Sequence, residues 1–185
     1  MEKKLDLRIE KTYLALHKAF IELLEEKRFE TFTVNELCQH AMIRRTTFYK
    51  LFADKYEYLS FFIREICADF RATLSPEIQD NGINAYFLHM TRQLIRFIRG
   101  NGQLIRNALD STMFPMLLNI LMEHIVEDLL QVSPQRTAQS EAMASFYAGG
   151  LLNTLFRRLR QSERIDEDQF VGMISQFLPQ DTATP

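Results

Sequence analysis

A chain of 185 residues that is 46% hydrophobic and 25% charged is long enough to bury a real core and too apolar for disorder. Its formal net charge of −2 gives no global sign of a nucleic-acid partner, so any such reading must rest on local charge. The longest uncharged run, Ala142 to Phe156, is short of the ~20 residues a membrane span needs, and "MEKKLDLRIEK" has no apolar run after its lysines. A soluble, cytoplasmic chain with no membrane association is therefore expected. Cys38 and Cys67 make neither a metal spacing nor a disulfide framework, and they read as two buried thiols.

In chain order the pattern is helical throughout, and an all-α fold is expected. Ile9, Tyr13, Leu16, Phe20, Leu23 and Leu24 recur at helical spacing and end near "KRFET". Thr33-Val34-Asn35-Glu36 is a capping-box pattern opening a short second helix with Leu37, Cys38 and Ala41 inward. Residues 44–52 form a third helix. Asp54 caps a fourth, with Tyr56, Leu59, Ile63, Ile66 and Phe70 down one face. Gly and Pro are absent from the first 75 residues and then punctuate the rest, so a boundary is placed at residue 70/71. Further helices are expected over 83–99, 103–109, 112–130, 134–161 and 167–178, with Ser133-Pro134 as a cap and first helical residue.

On a helical wheel, Arg45, Thr46, Tyr49 and Lys50 share one arc, and Arg44, Phe48, Leu51 and Phe52 the opposite one. The apolar arc anchors the helix. The other presents cations, a hydroxyl and a phenol, which suit base edges and phosphates in a DNA major groove. From Arg44 to Lys55 there are four cations against one carboxylate, Asp54. A short helix, a tight turn and this second helix make a helix-turn-helix over about 33–52. Charge alone would favour the solvated face of an ordinary bundle helix.

The spacing decides between them. "TVNELCQHAMIRRTTFYKLFADKYEYL", with Thr33, Val34, Leu37, Ala41, Ile43, Thr47, Tyr49, Phe52, Lys55 and Leu59 in register, resembles the N-terminal signature of the TetR family of bacterial transcription regulators. Met42 stands where that family usually has Gly, and Arg44 where it usually has a small polar cap. The resemblance implies a DNA-binding domain at 1–70 and a helical regulatory and dimerisation domain at 71–185. It implies a repressor that binds a palindromic double-stranded operator as a homodimer and is released by a small hydrophobic effector, with no cofactor. Carried over by position, Arg45, Thr46 and Lys50 face bases or nearby phosphates, Thr47 and Tyr49 bind the backbone, and Arg44 is counted in the same DNA-binding set. Thr33 caps helix two at the DNA surface, Asn35 reaches a phosphate or base, and Lys55 holds a phosphate at the start of helix four. Lys3, Lys4 and Arg8 read as a frayed terminus or a minor-groove arm. Helix four is expected to be the one segment touching both domains.

In the second domain, Ala148, Gly149, Gly150, Leu152, Phe156, Phe170, Ile174 and Phe177 are expected at a dimer interface of the TetR kind, built from residues 137–160 and 166–178. Phe62, Tyr86, Phe87, Met90, Phe97, Met113, Phe114, Leu117, Met122 and Phe146 form a candidate effector pocket, since Met and Phe suit a plastic apolar site. Arg92, Arg96, Arg99 and Arg106 read as a solvated helical face or, alternatively, as a site for an acidic ligand. Two other readings stay open: a co-regulator answering to a protein partner, and a small helical-bundle metalloenzyme. The last has only His124 beside Glu123 and Glu127 in its favour, and no HExxH or nucleophile elbow accompanies it, so a non-enzyme is expected.

Overall fold

A computed structural model describes residues 2–73, 82–133, 135–161 and 163–178, with backbone alone at 2–6. Among these residues are nine α-helices and no strand: α1 (Glu2–Glu26), α2 (Val34–His40), α3 (Arg45–Phe48), α4 (Lys55–Ala72), α5 (Gly82–Gly100), α6 (Gly102–Leu109), α7 (Phe114–Gln131), α8 (Ala138–Arg160) and α9 (Glu167–Ser175). One 3₁₀ turn, Phe29–Thr31, follows α1. The fold is all-α, as expected. Pro134 and the side chains of Lys3 and Lys4 lie outside the described residues. The helix expected from residue 134 begins at Ala138, after Thr137, whose Oγ1 accepts from the Ser140 amide at 3.1 Å.

The chain packs as two units: Met1–Ile63 with Asn101–Leu117, and Arg64–Gly100 with Leu118–Pro185. This departs from the single boundary expected at residue 70. The cause is α6, which belongs with α1. Asn107 Nδ2 donates to the carbonyls of Leu24 and Glu25 at 2.8 and 3.0 Å, satisfying acceptors that the last turn of α1 leaves open. As a result α4 and α7 each begin in the first unit and end in the second, so α4 is not the one shared segment.

The first unit is centred on Phe20. Its ring meets those of Phe29, Phe32, Tyr58 and Phe62 edge-on, with centroids 4.9 to 6.1 Å apart. Such pairs each add about 0.5–1.5 kcal/mol to the area they bury. Leu16, Leu23, Leu37, Phe48 and Leu59 complete the core. On α4 the buried residues are Tyr58, Leu59, Phe62 and Cys67, whereas Tyr56, expected inward, is exposed.

In the second unit, Phe87, Leu94, Ile95, Ile125, Leu129, Leu151, Leu155 and Phe170 form the core. Arg92, Arg96 and Arg99 on α5 all approach the Glu167 carboxylate at the start of α9, at 3.5, 2.8 and 3.9 Å. Arg92 also reaches Asp168 at 2.9 Å. These three arginines are therefore an internal tie to α9. Arg106 lies in the first unit and donates to Gln103 one turn earlier.

Candidate nucleic-acid interface

Helix α2 starts as the sequence predicts. The Thr33 amide donates to Glu36 Oε2 at 2.8 Å, and the Glu36 amide to Thr33 Oγ1 at 3.2 Å. The Lys27 ammonium lies 2.7 Å from Glu36 Oε1, and with Thr33 it holds that carboxyl down at about 2. The one carboxylate of α2 is thus paired inside the unit.

The turn after α2 is a Schellman motif. The Ile43 amide donates to the Cys38 carbonyl at 3.0 Å and the Met42 amide to that of Gln39 at 3.1 Å. Closing it puts Met42 in the left-handed region, at φ 52°. Glycine is the usual residue there because it lacks the Cβ that crowds the carbonyl. Met42 is also 93% exposed, so no packing offsets the strain.

The predicted third helix is much shorter than 44–52. Only Arg45–Phe48 is helical, and the Leu51 and Phe52 amides then both return to the Phe48 carbonyl. Phe48 and Phe52 are buried, Leu51 and Thr47 half-buried, and Arg45, Thr46, Tyr49 and Lys50 exposed, so the two arcs separate as expected. Arg44 joins the exposed set, against its place on the wheel. It sits ahead of the helix in extended backbone and makes no side-chain cap. The Arg45 guanidinium lies 5.8 Å from the centre of the Tyr49 ring, a cation–π contact that restrains both side chains at the surface. Asn35 and His40 are exposed on α2.

Lys55, expected to hold a phosphate, lies against the turn before α2. Its ammonium points inward and donates to the carbonyls of Phe32, Phe29 and Glu30 at 2.7, 2.9 and 3.4 Å. The rings of Phe29 and Phe32 lie 4.7 and 5.2 Å from the nitrogen. An ammonium has three donors, and three backbone carbonyls lie within reach of this one. Two of the first α4 amides are capped: Asp54 Oδ1 accepts from Tyr56 and Glu57 at 2.8 and 2.9 Å. Two phenylalanines three residues apart before the cap were the sequence signal for this cage.

The ten candidate effector residues are divided between the two units. Phe62, Met113, Phe114 and Leu117 belong to the first unit, where Phe62 packs on His17 and Phe20. In the second unit Tyr86, Phe87 and Met90 are buried, Phe97 and Met122 half-buried, and Phe146 is 72% exposed. Met90, with Cys67, Leu121 and Ile125, borders a void of about 10 Å³, room for one water. Phe87 and Phe146 instead line an open apolar pocket of about 340 Å³ with Gly150, Met173, Ile174 and Phe177.

The candidate dimer residues divide as well. Ala148, Leu152, Phe170 and Ile174 are already buried within the chain and have little left to give a partner. Gly149 and Phe156 are half-buried, and Gly150 and Phe177 exposed. Among the described residues a Cβ on either glycine would meet nothing within 4 Å, so close packing between them does not account for the glycines. Missed by the sequence reading is a polar group in the second unit: Arg71 pairs with buried Asp128 at 2.9 Å, beside buried Tyr86. Among the described residues no helix is long and apolar enough to cross a membrane, and no three His, Cys, Asp or Glu side chains cluster as metal ligands.

A helix-turn-helix at one end of an all-α chain defines the class, and the comparisons agree with it. No family model matches the chain. A stretch of 69 residues, 37% of the chain, is 39% identical to YxbF of Bacillus subtilis (strain 168), an uncharacterized HTH-type transcriptional regulator. The matched stretch spans only 18% of that relative's length. Two solved structures are similar over most of both chains. Lin0861 from Listeria innocua is 20% identical, over 92% of this chain and 90% of its own, with a TM-score of 0.64. The TetR family repressor AlkX from Dietzia sp. strain DQ12-45-1b, implicated in biodegradation of n-alkanes, is 19% identical, over 89% and 91%, with a TM-score of 0.54. The chain has the fold of TetR-type regulators.

Proposed function

We propose that this chain is a sequence-specific DNA-binding transcription regulator of the TetR type. It binds an inverted-repeat operator as a homodimer and represses until a small hydrophobic effector releases it, without enzymatic activity, in the compartment that holds the DNA. The observation that carries this reading is the exposed set Arg45, Thr46, Tyr49 and Lys50, held off a buried Phe48–Phe52 anchor directly after a Schellman turn. Such a surface fits a major groove, where arginine reads guanine and hydroxyls and lysines grip phosphate. The exposed apolar residues of the second unit, Phe146 and Phe177 beside Gly150, support a partner copy on that face.

The test is enrichment of bound duplexes from a randomised library by the purified protein. The expected product is an inverted repeat whose half-sites lie one helical turn, about 34–36 Å, apart or a multiple of it. Arg45→Ala should then relax preference at one base pair per half-site, costing about 1–3 kcal/mol on the enriched duplex and little on random DNA. Equal losses on both duplexes would remove Arg45 as a base reader. Enrichment of no duplex by the wild type would remove the DNA reading itself.

A further inference from the structure

We infer that Lys55 is a positioning residue for DNA binding rather than a phosphate contact: it fixes the turn between α1 and α2, and through that turn the end of α2 that meets DNA. The inference rests on the DNA reading above and concerns how that surface is built.

The turn runs from Phe29 to Phe32 and ends at Thr33, the cap of α2. The carbonyls of Phe29, Glu30 and Phe32 all lie within reach of one group at the start of α4. That group is the Lys55 ammonium, which donates to them at 2.9, 3.4 and 2.7 Å. Phe29 and Phe32 are each 1% exposed, so water does not readily replace a lost donor there. Burial pulls the Lys55 ammonium below its ordinary value, while the charges of Glu30 and Glu36 act against that. The other side of the same turn is held independently. The Glu30 carboxylate accepts from Ser111 Oγ at 2.5 Å and from the Thr112 amide at 3.1 Å. With one side anchored by Glu30 and the other by Lys55, the turn has a single seat, and Thr33 and Asn35 inherit their position from it. A cation that grips a phosphate could be exchanged for another cation. One that fills a cage of three carbonyls and two rings could not, because the planar guanidinium of arginine is wider than an ammonium and directs its donors in a fixed fork.

The experiment measures affinity for the duplex enriched by the wild type, as a function of salt, for Lys55→Met and Lys55→Arg, at a temperature where circular dichroism shows each variant folded. The expected result is a loss of tenfold or more for both variants, with the slope of log affinity against log salt unchanged. A phosphate contact predicts otherwise: Lys55→Met would flatten that slope by about 0.9, and Lys55→Arg would bind like the wild type. Either outcome overturns the inference. So does unchanged affinity in both folded variants, which would leave Lys55 a stabilising residue alone. Should Lys55→Met not fold, Lys55→Arg still decides, because the two readings predict opposite results for it. A wild-type protein that enriches no duplex would overturn this inference together with the DNA reading, whereas normal wild-type enrichment with unaffected variants would overturn this inference alone.

Discussion

Met42 and Asp128 are the two residues whose local environments most clearly work against them. Met42 occupies a left-handed position with its side chain in solvent, so Met42→Gly should raise stability by about 1 kcal/mol, less the entropy glycine adds to the unfolded chain. A urea titration that shows no gain would mean the turn holds Met42 without strain. The motif register made this residue legible as the one standing in glycine's place. Asp128 was not legible, because its neighbours Arg71 and Tyr86 come from other helices and share no spacing with it. Burial pushes its carboxyl up to about 6, against the pull of Arg71, and one of its oxygens has no hydrogen-bond partner. The folded value lies above the ordinary ~3.9, so the proton binds the folded chain more tightly than the unfolded one. Asp128 therefore favours the fold fully below about pH 4, and this contribution is lost as pH rises through 6. Between pH 5 and 7.5 the wild type should lose about 1.4 kcal/mol relative to Asp128→Asn. Urea melts of both proteins at the two pH values test it, and parallel pH dependence would show that Asp128 is ionised throughout.

Among the elements, those bounded by side-chain caps were the easiest to read. Thr33 with Glu36 and Asp54 with Glu57 fix the starts of α2 and α4 through bonds three residues long, and such pairs are visible in a linear string. Helix α3 was read too long because its apolar period continues to Phe52, while the backbone tightens after Phe48 to seat both aromatic rings. The role of α5 was also hidden. Its arginines recur at helical spacing, which a solvated face would show equally, and only the structure brings Glu167 to them. Glu167 is the acidic first residue of α9, well placed for both the helix dipole and the arginines, and its carboxyl is held below the usual range chiefly by the Arg96 hydrogen bond. Glu167→Gln should loosen α9 at a cost of about 1 kcal/mol, since exposed pairs contribute 0.2–1 kcal/mol each and a network somewhat more. Hydrogen exchange should then speed up in α9 amides and leave α1 and α2 unaffected. Uniform acceleration across the chain would show that the tie supports the whole fold rather than α9.

For the whole molecule, the decisive feature is an apolar face that the described residues leave exposed. Phe146 and Phe177 are each 72% exposed, and the pocket between them has Gly150 on its wall. Glycine inside a helix costs about 1 kcal/mol against alanine, and among the described residues nothing comes near enough to account for it. A second copy approaching along α8 would. This makes Gly150→Leu an unusually clean test of assembly. A leucine there projects into open space in the monomer, so folding should be spared and the melting temperature of dilute protein little changed. At a close subunit contact the same side chain overpacks the interface, which typically costs about 1–3 kcal/mol. Sedimentation should show dimers of the wild type dissociating at least several-fold more readily in the variant. Affinity for a duplex carrying both half-sites should fall with it, because two recognition elements bind together only while the dimer fixes their spacing. Affinity for a single half-site should stay as in the wild type, since α3 and its supports lie in the other unit. A variant that remains as firmly dimeric as the wild type would place Gly150 outside the interface. The partner surface would then have to be sought away from the Phe146–Phe177 face.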